Sequence, residues 1–253
     1  MYNGLILSVL LGLAAGSFLN VVIARIDDLH SIWRGRSHCP NCKKNLAWYD
    51  LVPLLSFALL KARCRHCSQP ISWQYPLVEA GFALVVTLLY LEFGFSWHLL
   101  FYGAVFALLA VVFVYDLLRQ LIPEEFAWAT LGLTLLFGWY FGNMGFGQSL
   151  AGGLIGGGVP GLLVLVSRER WMGSGDIKIG AILGLLLGYP LVILGLFLSF
   201  VLGSVLGVGL IAFGGKKLKD ALPFAPFLIV AMLLALVSGR SIINWYFNNL
   251  FGY

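Results

Sequence analysis

Two aspartates stand where acids are costly. Asp176 follows two glycines in Trp171-Met172-Gly173-Ser174-Gly175-Asp176-Ile177-Lys178, at the mouth of an apolar run, and Asp116 ends an earlier apolar run in Val114-Tyr115-Asp116-Leu117. Acidic residues at the edge of hydrocarbon are functional candidates by default. Two carboxyls a few ångströms apart cannot both ionise easily, so they share a proton. The ionised one can take a proton from water, and the protonated one can polarise a peptide carbonyl. That is the minimum kit for peptide hydrolysis without a metal or a protein nucleophile. Helix dipoles assign roles: Asp176, at a positive helix start, begins as base, and Asp116, at a negative helix end, begins as acid. Gly173 and Gly175 remove side chains beside the carboxylate, so that a substrate backbone can approach. Lys178, two residues further on, lies on the same approach, where it tunes the pair or snorkels. The plainer alternatives are a simple inter-helix turn for the glycines and an interfacial pair with Arg119 for Asp116.

A second constellation is Cys39-Pro40-Asn41-Cys42 and Cys64-Arg65-His66-Cys67, two CxxC knuckles with 21 residues between Cys42 and Cys64. This is close to the tetracysteine spacing of structural zinc sites. Each knuckle offers two thiolates to one face of a metal, and two knuckles complete a tetrahedron with no open position. Such a site holds structure rather than performing chemistry. Two disulfides or free thiols are the alternatives, and a reducing compartment disfavours the disulfides. His38 and His66 are unnecessary to a four-thiolate shell and read as solvated neighbours.

The elements that must carry these residues are membrane helices. Of the 253 residues 60% are hydrophobic and 11% charged, against about 25% charged in a soluble domain, and the mean hydropathy is +0.92. The apolar runs are too continuous for the alternating strands of a membrane barrel. Runs of about 20 apolar residues place helices near 3–24, 75–93, 97–118, 125–142, 147–167, 176–189, 190–213 and 222–238. Breaks fall at Gly94, Ile122-Pro123, Gly142-Asn143, Gly173-Ser174-Gly175, Tyr189-Pro190 and Gly214-Gly215. The sixth helix is short, and 176–213 is open to two readings: two spans or a re-entrant hairpin. The fold class expected is an all-α polytopic membrane protein of about eight transmembrane helices, with a small cytoplasmic zinc-knuckle domain between the first and the second. The divisions are 1–24, a first helix; 25–74, the tetracysteine domain; and 75–253, the membrane domain.

Residues 4–24 imitate a signal peptide, but no Lys or Arg precedes them and Arg25 follows. Those flanks are reversed for a signal peptide, so the run is read as a retained helix with its N-terminus outside. With eight helices the inner loops then hold Arg25, Arg34, Arg36, Lys43, Lys44, Lys61, Arg63, Arg65, Arg119, Arg168, Arg170, Lys178, Lys216, Lys217 and Lys219; only Arg240 lies outside. This is the positive-inside bias, which explains the basic balance without nucleic acid as a partner. The stretch 47–60 is apolar but short and contains Asp50 and Pro53, so it is expected as the core of the inner domain rather than a span. Gly152, Gly153, Gly156, Gly157, Gly158 and Gly161 crowd the fifth helix and predict close helix packing. The tail from Ile242 to Tyr253, rich in Trp, Tyr and Phe, is expected at the outer interface.

In order along the chain, Gly16-Ser17-Phe18-Leu19-Asn20-Val21-Val22, the two CxxC knuckles, Trp48-Tyr49-Asp50-Leu51-Val52-Pro53-Leu54-Leu55-Ser56 and Tyr75-Pro76-Leu77-Val78-Glu79 form part of an ordered set. Asp116 with Leu121-Ile122-Pro123, Gly173-Ser174-Gly175-Asp176-Ile177-Lys178 and Pro223-Phe224-Ala225-Pro226-Phe227-Leu228 complete it. By this set the chain resembles the type IV prepilin peptidases, or leader peptidase/N-methyltransferases, which are GxGD-type aspartic membrane proteases. The resemblance implies an endopeptidase of the bacterial inner membrane that removes the basic leader of prepilins or pseudopilins at the cytoplasmic face. It implies Asp116 and Asp176 as the catalytic pair. It also implies methylation of the new N-terminal amine, with S-adenosylmethionine as methyl donor, associated with the tetracysteine domain. Three positions depart from the family pattern: Glu124 where Asp is common, Ala225 where Gly is common, and Arg25-Ile26-Asp27 where Arg-Leu-Pro is usual.

A rival reading is an ion-coupled membrane transporter that relays protons through Asp116 and Asp176. It leaves the cysteine knuckles unexplained, and no inverted repeat of the kind common in transporters is evident. A scaffold without chemistry leaves both aspartates unexplained.

Overall fold

The computed structural model describes residues 2–27, 35, 37–213 and 222–251. The Gly214-Gly215 break, Arg34, Arg36, Lys216, Lys217 and Lys219, and the last two residues of the expected interfacial tail lie outside the described residues. The helices are α1 (Tyr2–Ala24), α2 (Leu55–Leu59), α3 (Gln74–Phe93), α4 (Trp97–Arg119), α5 (Glu124–Phe141), α6 (Phe146–Ser167), α7 (Gly175–Leu187), α8 (Leu191–Phe213) and α9 (Ala225–Phe251), with a 3₁₀ turn at Trp48–Leu51. Strands are absent among the described residues; two isolated bridges, His38 with Asn45 and Arg63 with Pro70, are the only β pairing there.

Six of these helices, α1, α3, α4, α6, α8 and α9, are long and apolar enough to cross a membrane. The chain is thus a multi-pass helical membrane protein. α5 and α7 occupy the places where two further spans were expected but fall outside this set. α7 has 13 residues, about 20 Å at 1.5 Å per residue, short of a hydrocarbon core of about 30 Å. α9 also departs from expectation, because it runs on to Phe251 instead of stopping near 238. The aromatic residues Trp245, Tyr246 and Phe247 are therefore exposed on a continuous helix.

The chain forms two compact units, residues 1–111 and 112–253, the boundary falling inside α4. In the first unit α1 and α3 pack antiparallel along a stripe spaced by four. A Cβ at Gly12 would lie 2.5 Å from Ala83 Cα, one at Gly16 would lie 2.8 Å from Glu79 Cα, and the Asn20 amide donates to Tyr75 O at 3.0 Å. Small residues four apart are what let two membrane helices touch at backbone distance. The segment between these helices is not built as expected. Neither the Trp48–Leu51 turn nor α2 contains a buried residue, so 47–60 is not the core of that segment. Trp48, Tyr49, Leu51, Leu55 and Leu59 are exposed, while Phe57 is half-buried.

In the second unit α7 is the central element, contacting α5, α6, α8 and α9. Its N-terminal turn opens at Gly175 and it ends at Gly188, whose φ of +66° suits a residue without Cβ. The glycine-rich α6 packs on it backbone to backbone. Gly152 faces Gly184 and Gly156 faces Gly180 with no room for a Cβ on either side, Gly153 meets Leu185, and Gly157 meets Ala181. The expected close packing is present at these four positions; Gly161 makes only loose contact with Ile177 and Gly158 faces open space. The Ser149 hydroxyl adds a bond to Leu185 O at 2.7 Å across the same pair. A helix shorter than the hydrocarbon core is tolerated at membrane depth because protein surrounds it and its backbone groups bond internally.

Candidate active site and candidate metal centre

The second unit brings Asp116 and Asp176 together. Asp116 lies in the last turn of α4 and Asp176 in the first turn of α7. Both are buried, at 5% and 6% exposure, and Asp116 is near enough for its charge to act on the Asp176 carboxyl. Local chain geometry explains how two helix ends converge. The Gln120 N–H bonds Asp116 O at 2.8 Å and Gln120 turns at φ +54°, which swings Ile122-Pro123 across to the α7 start. There Ile122 occupies the space a side chain at position 175 would need; a Cβ would lie 2.8 Å from its Cδ1.

Asp176 is held by backbone. The Gly173 N–H donates to its Oδ2 at 3.2 Å, and the Ala225 N–H at the start of α9 donates to the same carboxyl. Ala225 is fully buried. These two N–H donors, one at a helix N-terminus, fix the orientation of the Asp176 carboxyl. Arg119, the alternative partner for Asp116, lies over the Tyr115 ring at 5.8 Å.

The three residues expected along the substrate's path divide. Gly173 is exposed, and a Cβ there would meet nothing nearer than Asp176 Oδ2 at 3.9 Å, so the side of the carboxylate it borders is open. Gly175 is not on an open path, because Ile122 fills its free side; its lack of a Cβ seats the Asp116 loop against the Asp176 loop. Lys178 is engaged too: its ammonium binds both oxygens of the Glu124 carboxylate and lies 4.8 Å above the Trp128 ring, while Trp128 Nε1 donates to Glu124 at 2.8 Å. Glu124, Lys178 and Ala225 were all named from the sequence, but not in these roles: Glu124 as the partner of Lys178 and Ala225 as a backbone donor to Asp176. The signals were present: a break between Pro223 and Pro226 that had to start a helix somewhere, and an acid directly after Pro123.

In the first unit, all four Sγ atoms of Cys39, Cys42, Cys64 and Cys67 lie within 4.8 Å of one another, Cys39 and Cys67 at 3.8 Å, and none forms a disulfide. A tetrahedral zinc with bonds of about 2.3 Å requires sulfurs about 3.8 Å apart, so this donor set fits one. The two knuckles repeat each other at an offset of 25 residues. Cys39 N bonds Lys44 O at 3.0 Å and Cys64 N bonds Gln69 O at 2.8 Å; Lys43 N bonds Cys39 O and Ser68 N bonds Cys64 O, both at 2.9 Å; Leu46 N bonds Ser37 O and Ile71 N bonds Ala62 O, both at 2.8 Å. Lys43 and Ser68 share φ +57°. This turn aims backbone N–H groups at sulfur. The Cys42 N–H holds the Cys39 thiol below its usual range, and the Gln69 N–H holds Cys67 down to about 6. Hydrogen bonds to these two thiolates favour the metal-ligating form, while the neighbouring Cys39 and Cys67 sulfurs help push the Cys42 thiol up to about 11. The second knuckle is tied to the 3₁₀ turn: Arg65 donates from Nε and Nη2 to Asp50 Oδ1, at 2.9 and 2.7 Å.

Residues 10–93 match a family described as Bacterial Peptidase A24 N-terminal domain, and residues 103–208 match the Type IV leader peptidase family. The chain is 33% identical to the prepilin leader peptidase/N-methyltransferase of Aeromonas hydrophila over 274 residues, covering 95% of this chain and 92% of the relative. It is 33% identical to the protein of that name from Bacillus subtilis (strain 168) over 250 residues, covering 95% and 97%. To the Legionella pneumophila protein it is 33% identical over 269 residues, covering 94% and 92%. No solved structure matches.

Proposed function

The chain belongs to the prepilin leader peptidase/N-methyltransferase family, and from that premise we propose that it cleaves the basic leader of type IV prepilins or pseudopilins with Asp116 and Asp176 as its catalytic pair, and methylates the N-terminus it exposes. The observation that carries the peptidase half is the pair of buried carboxyls at converging helix ends, with Asp116 near enough to act on Asp176, inside the segment matched by the leader peptidase family.

The chemistry runs through one water. Asp176, the acceptor of two N–H bonds, takes a proton from water as its oxygen attacks the scissile carbonyl carbon, while protonated Asp116 donates a hydrogen bond to the carbonyl oxygen. The tetrahedral intermediate collapses with the Asp176 proton passing to the leaving nitrogen and the C–N bond breaking. The products are a leader with a new carboxylate and a pilin with a new amine. The open side next to Gly173 is the path by which the substrate backbone reaches the carboxyls.

Orientation follows from charge. Arg119 closes α4, and Arg168, Arg170 and Lys178 flank the start of α7, so both acids border the basic, cytoplasmic side. Eight membrane passes in the bacterial inner membrane, with the N-terminus outside and residues 25–74 inside, accommodate that arrangement, α5 and α7 being passes buried against neighbouring helices. Within 25–74 the four cysteines would hold a structural zinc, which supplies a rigid cross-link. S-adenosylmethionine is the co-substrate of the methyl transfer, whose chemistry belongs with this division of the chain; 75–253 carries the peptidase. Proton relay by a transporter finds no support in any comparison.

The test is a mass spectrum of a prepilin-like substrate incubated with the purified full chain and S-adenosylmethionine in detergent. Loss of the leader mass and gain of one methyl on the mature product are expected. An intact substrate under conditions where the chain is folded would overturn the peptidase half, and a cleaved but unmethylated product would overturn the other.

A further inference from the structure

We propose that the exposed apolar face of the cysteine-bearing segment, built by Trp48, Leu51, Leu55, Leu59 and Trp73, docks on the bilayer surface where α3 enters the membrane. Trp48 is 78%, Leu59 72% and Trp73 68% exposed, an unusual display for a segment whose interior holds little but thiols. Large apolar side chains left exposed in number within one short segment point to an interaction surface.

The position of this face identifies its occupant. α2 is pinned to the start of α3 by two contacts: the Phe57 ring packs on the Trp73 ring, centroids 5.1 Å apart, and the Leu54 N–H donates to the buried Glu79 carboxylate at 2.9 Å. Trp73 is the N-cap of α3, and Glu79 lies in its second turn. α3 has 20 residues, about 30 Å, which matches the hydrocarbon thickness from end to end. Its first turn therefore sits at the membrane border, and α2 beside it sits at the same depth. Leu55 and Leu59, one turn apart, share a face of α2. Tryptophan at both ends of the patch is the residue type that prefers this border. Lys43, Lys44, Lys61 and Arg63, all exposed in the same segment, complement anionic lipid headgroups. α2, at five residues, is too short to act as a free amphipathic anchor. It works because α3 fixes its height, and it would in turn fix the height of the two knuckles above the membrane.

The test uses the full chain in nanodiscs of phosphatidylethanolamine and phosphatidylglycerol, with p-benzoylphenylalanine replacing Leu55 or Leu59, and replacing Gln69 as an exposed control on the second knuckle. Each position is exposed, so each variant should keep the parent's unfolding midpoint, which is measured alongside. Irradiation and mass spectrometry should find lipid adducts at positions 55 and 59 several-fold above those at 69. Adducts to polypeptide at 55 and 59, or lipid adducts no more frequent there than at 69, would overturn the proposal.

Discussion

Between residues 37 and 73 only Cys39 and Cys64 are buried, whereas α7 buries nine of its 13 residues, Asp176 among them. The two regions therefore reach a fixed geometry by different physics. Around the cysteines there is too little buried apolar surface to offset chain entropy, and the geometry comes from repeated backbone turns that aim four sulfurs at one point. Around the aspartates the geometry comes from close-packed helix backbones, and the acids ride on helix ends that the packing brings together. The first kind of site should depend on a metal for its order. The second should depend on the absence of side chains at a few glycines.

The largest effect on the fold is expected from filling that absence. Gly184→Leu places a branched side chain where Gly152 O already sits, and overpacking of this kind costs about 3 kcal/mol or more. The unfolding midpoint in detergent should fall by several degrees and cleavage should be lost with it. Gly158→Leu, on the same glycine-rich helix but facing open space, should leave both intact. If the two variants behave alike, packing of α6 on α7 is not what holds the acid site.

Metal removal should have a smaller, local effect. Chelation, or Cys39→Ser, should release the metal and raise hydrogen exchange at the N–H groups of Lys43, Leu46, Ser68 and Ile71, which close the two knuckles. Exchange in α6 and α7 should not change. Exchange rising in both regions together would erase the contrast between them, and exchange rising in neither would mean that the knuckles are ordered without metal.

The smallest effect is expected from the surface pair. Glu124→Gln removes the charge that binds Lys178, but Glu124 is 63% exposed on its side chain, and exposed pairs contribute little. Cleavage should fall only a few-fold and the unfolding midpoint should hardly move. A loss as deep as that from the glycine substitution would place the pair inside the catalytic machinery.

How much of this was legible in the sequence follows the same division. The residues that type and spacing proposed for chemistry are brought near one another: the four cysteines converge, and Asp116 lies near Asp176. The crowding of glycines in α6 correctly signalled close packing. What failed depended on which way a side chain faces. The stretch 47–60 reads as a core because it is apolar, yet none of its residues is buried, and the bonds that hold it run from Arg65 to Asp50 and from the Leu54 N–H to Glu79. Gly175 reads as room for a substrate, but a residue 53 positions earlier, Ile122, takes that room, and no local pattern encodes such a contact. Gly12, Gly16 and Asn20 form a stripe spaced by four that could have been read as the α1 contact with α3. The length of α7 was blurred because Tyr189-Pro190 interrupts an apolar composition that hardly changes across it.

The central claim is that Asp116 and Asp176 act as one catalytic unit, and the most direct measurement is leader cleavage by Asp116→Asn, Asp176→Asn and the double variant, each checked for an unchanged unfolding midpoint. Each single variant should lose about 10³-fold or more in kcat/KM, within the range that positioned acid–base groups supply, and the double variant should lose no more than either single one, because members of a unit are not additive. Cleavage near the parent rate in either single variant, or losses that multiply in the double one, would contradict it.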